Sequence, residues 1–99
     1  MKTPKLINAV KMNHQYPSTF YLPPQKKVAN VKKGSVVKVS NATERFWVSV
    51  MKRTGNVVIG KINNHLFGQN LKKGDIIKFY LDNVCDIYPS KKHLTSSVK

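Results

Sequence analysis

The chain is poor in acid. Against eighteen lysines and arginines it sets four carboxylates, Glu44, Asp75, Asp82 and Asp86, scattered over strand starts and turns. Paired acid-base chemistry would fall to Asp82 and Asp86, and it would need a pocket that drives their two pKa values apart. A chain of 99 residues makes one domain at most and has little interior to spend on such a pocket. Cysteine is scarcer still. Cys85 stands alone, which excludes an internal disulfide and agrees with a reducing compartment. His14, His65 and His93 are far apart, and none has metal-ligand spacing with another or with Cys85. No nucleophile triad, phosphate-binding glycine loop or dinucleotide fingerprint occurs. There is no long apolar run for a signal peptide or membrane span, and no helix pattern with one basic and one apolar face. The expectation is a protein that is not an enzyme, takes no cofactor or metal, avoids membranes and works inside the cell, in cytoplasm, nucleoid or a viral particle.

What is abundant is positive charge. The formal net charge is +14 and the pI about 10.2. Self-repulsion on that scale opposes folding unless a polyanion relieves it, so nucleic acid is the first partner to consider. Lysine outnumbers arginine sixteen to two. Lysine makes point contacts to phosphate, whereas base reading by paired hydrogen bonds favours arginine, so backbone binding with little sequence preference is expected, to DNA or RNA.

Residues 1–33 hold Pro4, Pro17, Pro23 and Pro24, which leave few places for a helix. Residues 1–15 read as a basic flexible arm and 89–99 as a basic flexible tail, flanking one small β domain at 16–88. YPSTFYLPP, residues 16–24, is too apolar for a free tail and is expected to lie across the body. From Gly34 onward, β-branched runs broken by turn residues predict five short strands at 35–40, 45–52, 57–63, 75–81 and 84–88. Residues 53–56 would join the second strand to the third as a four-residue hairpin connection. Residues 63–71 would form a loop or a single helical turn. The fold class is mainly β, a small five-stranded SH3-like or OB-like barrel with an extended N-terminal segment.

VKKGSVVKVS (31–40) returns as LKKGDIIKFY (71–80). Lys-Lys-Gly precedes a strand both times and the segments between do not repeat, so two strands entered in the same way is the simpler reading than a duplicated binding device.

ERFWVSV (44–50), VVIGKINN (57–64) and LKKGDIIKFYLDNVCDI (71–87) together resemble the YegJ-like domain of unknown function. Its members carry a Glu-x-x-Trp-Val strand, a Gly-x-Leu-x-Asn strand and a closing Gly-Asp-x-Ile-x-Phe strand. The resemblance spans roughly residues 16–88 and implies the fold; the family has no assigned activity or catalytic residues. This chain departs from it in its charge, in Ile62 where Leu is usual and in Tyr88 where Trp often stands.

Strand alternation predicts Val37, Val39, Phe46, Val48, Val50, Ile77, Phe79 and Leu81 inside, with Lys38, Arg45, Trp47, Ser49, Lys61, Lys78 and Tyr80 on the opposite face. Cations interleaved with aromatics suit a platform on which bases stack while ammonium groups meet phosphate. The alternative for Trp47 and Tyr80 is packing under the N-terminal segment, against Phe20 and Leu22. The remaining candidates for phosphate contact are Lys26, Lys27, Lys32, Lys33, Lys52, Arg53, Lys72, Lys73, Lys91 and Lys92. A rival reading is a protein-interaction or virion-assembly module that docks an acidic protein partner, motivated by the apolar YPSTFYLPP segment. Oligomeric state is not legible in the sequence.

Overall fold

The computed structural model describes residues 1–68 and 70–89. Five antiparallel strands form one open sheet: β1 (Val36–Ser40), β2 (Arg45–Thr54), β3 (Val57–Ile62), β4 (Ile76–Tyr80) and β5 (Asp86–Ile87), in the order β4-β3-β2-β1-β5. Four consecutive strands make a meander, and the chain then crosses through a short 3-10 turn, Leu81–Asn83, to pair β5 with the free side of β1. The predicted strands are all present, most within one or two residues.

The two Lys-Lys-Gly segments enter β1 and β4 by one device. Ser35 N–H donates to the Lys32 carbonyl and Asp75 N–H to the Lys72 carbonyl, at 2.9 and 3.1 Å, closing turns whose third residue is Gly34 at φ +95° or Gly74 at φ +93°. That backbone region favours glycine. The residue after each glycine reaches back: Ser35 Oγ accepts from Lys32 N–H and Asp75 Oδ2 from Lys72 N–H, both at 3.0 Å. Each glycine also donates to the neighbouring strand, Gly34 to Val50 and Gly74 to Ile62. The repetition is strand entry.

Alternation places the core as expected. Val37, Val39, Phe46, Val48, Val50, Ile77, Phe79 and Leu81 are all buried, joined by Val58 and Ile62. Val28 and Val31, from the segment before β1, and Val84, after the 3-10 turn, complete the cluster, with Leu6, Leu66, Leu71 and Ile87 packed on it. One face of the sheet is thereby covered and the other, the outer face, is left to meet solvent and residues 16–24.

Three expectations need correction. Residues 1–33 contain two helices, α1 (Ala9–Gln15) and α2 (Gln25–Ala29). Asn8 caps α1 by accepting from Lys11 N–H at 3.0 Å, which satisfies a donor that the helix leaves free, and Pro17 follows its end. Residues 1–15 are not a loose arm. Lys2 exchanges backbone hydrogen bonds with Ile76 and Lys78 on the β4 edge, Ile7 N–H donates to Ser40, and Ala9 is fully buried. The β2–β3 link is a two-residue loop, Gly55-Asn56, because the strands pair through Thr54 and Val57. That extension follows from a bulge: the register passes from Val50↔Gly60 to Lys52↔Ile59, leaving Met51 as the extra residue.

Residues 63–68 form a loop without a helical turn.

Candidate nucleic-acid interface

Cross-strand register shows which residues share the outer face. The pairs Lys38↔Trp47, Ser49↔Lys61, Lys52↔Ile59, Ile59↔Lys78 and Val57↔Tyr80 lie on the side opposite the core. Lys38, Arg45, Lys61 and Lys78 therefore put one cation on each of the four strands β1 to β4, across about 14 Å at ordinary strand spacing. Lys52 adds a fifth. It reaches this face because of the bulge, since strict alternation from Val48 and Val50 would have turned it inward.

The bulge turns Arg53 the other way. Its Nη1 donates to the carbonyls of Ala29 and Val31 at 2.6 and 2.9 Å, and its Nε to Gly55 at 2.8 Å. These bonds tie the end of α2 to the β2–β3 hairpin. Arg53 is therefore a structural clamp, and its planar fork of donors suits that work.

Aromatic rings are interleaved with the cations. The Lys38 ammonium lies over the Trp47 ring, 4.7 Å from its centroid, and Tyr88 meets that ring edge-on at 5.9 Å and 87°. Trp47 is half-buried; Tyr80 is 46% exposed. Trp47 thus packs against β1 and the chain just after β5. Phe20 instead meets Arg45, whose guanidinium carbon is 5.8 Å from the phenyl centroid. Both distances fall within cation–π range.

Of residues 16–24, Phe20, Leu22 and Pro23 lie against the body, while residues 16–19, Tyr21 and Pro24 are exposed. Phe20 N–H donates to the Tyr16 carbonyl, Asn13 Nδ2 donates to the Phe20 carbonyl at 2.7 Å, and Pro23 is buried. Between this segment and the β1–β5 side of the sheet runs an open cleft of about 400 Å³. Lys27, Lys38 and Arg45 line it, with Phe20, Cys85 and Asp86. Asp86 is opposite Lys38 in the β1–β5 register, and its Oδ1 accepts from Ile87 N–H. Burial pushes the Cys85 thiol up from its ordinary range, against the opposing pull of Arg45 and Lys38, so it stays a protonated, weakly nucleophilic group near neutrality.

The other candidates are more dispersed. Lys26 and Lys27 are exposed on α2, and Lys32, Lys33, Lys72 and Lys73 are exposed on the turns that enter β1 and β4. Lys91 and Lys92 lie outside the described residues. Little acid offsets this charge. Among the described residues the one ion pair is Lys2 with Asp75, at 2.8 Å. Glu44 is occupied in accepting from Phe67 and Gly68 N–H groups. Among those same residues no group of three or more His, Cys, Asp or Glu side chains is placed to hold a metal, and no helix is long and apolar enough to cross a membrane.

Sequence reasoning missed the contributions of Phe20, Asp86 and Tyr88. All three depend on contacts with β1 or β2, and no local spacing announces them. No protein-family model, curated protein or solved structure matches the chain.

Proposed function

We propose that this protein binds nucleic acid through the phosphate backbone, with little sequence preference, as a packaging or coating protein without an enzymatic step. The observation that carries the reading is the set of cations Lys38, Arg45, Lys61 and Lys78, one per strand across the outer face, with Trp47 among them and Tyr80 just beyond Lys78 on the β4 edge. An extended chain of phosphates meets such a set without needing a deep pocket, and aromatic faces supply sequence-tolerant stacking. The lysine pairs on turns extend the positive field beyond the contact surface. We further infer that the sheet is the SH3-like form of small barrel: the meander order, with β5 returning to β1, favours it over the Greek-key arrangement of an OB fold. The resemblance to the YegJ-like domain brings no activity, so the surface alone carries this functional reading.

The test is a titration with duplex DNA, single-stranded DNA and RNA at two salt concentrations. Binding that weakens steeply with salt supports the reading, and absence of binding in dilute buffer removes it. A second reading, docking of an acidic protein partner, draws on Tyr21, 74% exposed, and Phe67, 98% exposed, both outside the cation set. Pull-down from nuclease-treated extract separates the two, because a partner retained after nuclease favours the second.

A further inference from the structure

The cleft beside residues 19–24 differs chemically from the outer face. It is concave, and its volume of about 400 Å³ falls in the range of sites that hold one small ligand. Three cations, Lys27, Lys38 and Arg45, converge on it against the single carboxylate of Asp86, so its field selects an anion. Its wall is also apolar and aromatic: Phe20 lies under the Arg45 guanidinium, and Leu22 and Pro23 continue the surface. An inorganic anion would use the cations and leave the ring unused. A duplex can meet the cations at the rim but is too wide to seat a base inside. A nucleotide presents the required combination, a phosphate on one side and a flat π-face on the other.

We propose that this cleft receives one unstacked nucleotide of a single-stranded nucleic acid, its base against the Phe20–Arg45 stack and its phosphate among Lys27, Lys38 and Arg45. The inference rests on the reading of the protein as a nucleic-acid binder and adds a preference for single strands. The base stacks on an aromatic already capped by a cation, an arrangement that single-strand binders use with any base. In the free protein Asp86 faces Lys38, while Lys38 also covers Trp47. An entering phosphate competes for Lys38 and draws the ammonium from the indole, so Trp47, the only tryptophan in the chain, reports occupancy by its fluorescence.

The experiment compares a single-stranded DNA of about fifteen nucleotides, near the upper site size of such modules, with a duplex of equal phosphate number, at fixed salt. The readouts are anisotropy of the labelled DNA and Trp47 emission. The wild type is expected to prefer the single strand, with an emission change that the duplex does not produce. In Phe20→Ala the single-strand-to-duplex affinity ratio falls about tenfold, the usual scale for losing one base–aromatic stack. Phe20→Leu keeps the apolar bulk that seats the segment and removes only the aromatic face, so it shows a similar fall if stacking is the cause. Asp86→Asn raises the ratio severalfold by removing the opposing charge.

An affinity ratio that stays the same in both Phe20 variants overturns the nucleotide cleft. If salt-sensitive duplex binding persists in that case, the broader function survives it. Absence of binding to either nucleic acid overturns both.

Discussion

Replacing Lys61 and Lys78 by alanine tests whether the outer face is where phosphate is met. Both side chains stand on β3 and β4, away from the cleft, and neither lies in the core, so the fold should survive their loss. Five cations occupy the face: Lys38, Arg45, Lys52, Lys61 and Lys78. If each neutralises one phosphate of duplex DNA, log Kd depends on log salt with a magnitude of about 4.5, and on a single strand about 3.5. Raising salt from about 50 to about 200 mM then weakens duplex binding by about 500-fold in the wild type. The double variant retains three contacts, which predicts a duplex slope of about 2.7 and a loss of about 40-fold over the same range. Fluorescence anisotropy with a labelled duplex at five or six salt concentrations measures both slopes. A control variant, Lys72→Ala with Lys73→Ala, removes the same charge from an exposed turn and should lower the slope less. The reasoning is refuted if the two double variants have equal slopes, or if the wild-type slope is below about 1, which would mean that fewer than two phosphates are met.

Other outcomes test the packing beneath that face. In Gly60→Ala the added Cβ would stand 2.5 Å from Val48 Cγ1 and 2.7 Å from the Ser49 carbonyl oxygen, so β3 must move from β2; a loss of about 1–3 kcal/mol is expected, read from urea unfolding. Arg53→Ala removes three hydrogen bonds to backbone carbonyls and should destabilise by about 1–3 kcal/mol while leaving the salt slope of binding in place; Arg53→Lys should not restore stability, because an ammonium cannot reproduce the fork. The Lys2 ammonium bonded to Asp75 holds that carboxyl below its ordinary range, with a further contribution from Lys72 N–H and against some desolvation. A depressed carboxylate stabilises the fold above its unfolded value, about 3.9, and that contribution is lost as pH falls through the lower folded value. The Tm difference between wild type and Lys2→Ala should therefore shrink in acid to the part owed to the Lys2 Nζ bond to the Asn70 carbonyl, and a difference that does not shrink would contradict this.

Most of the sheet was legible because the β-branched runs are separated by strong turn chemistry. Gly34 and Gly74 mark the entries to β1 and β4, and alternation through 37–39, 46–50 and 77–81 places the core residue by residue. The helices were less legible because proline density argued against them. Prolines 4 and 17 in fact lie outside α1, Pro24 immediately precedes α2, and Asn8 was the unread start signal. The exchange of roles between Lys52 and Arg53 depends on Met51 standing outside the register. Nothing in the residue types of VMKRT marks that position, because the bulge is a property of how β2 pairs with β3. The cleft was hidden for a related reason: Phe20 meets Arg45 only once the N-terminal segment lies beside β2, and Asp86 stands opposite Lys38 only once β5 has paired with β1.

The bulge also changes how the basic composition should be understood. Near one end of β2 two adjacent cations are assigned opposite work: Lys52 goes to the exposed face and Arg53 to backbone carbonyls. One of the two arginines is thus spent on the fold, and the other, Arg45, sits where a planar cation can cap a ring as well as meet an anion. The lysines divide similarly. Those at 32–33 and 72–73 flank glycines whose backbone bonds start the strands, and their ammonium groups act through a field that dies away over about 10 Å at 0.1 M salt. Those on the sheet face act at contact. Turn lysines should therefore govern how fast a polyanion is captured, and face lysines how many counterions it releases on binding. Net charge alone does not distinguish these roles; the register of five strands does.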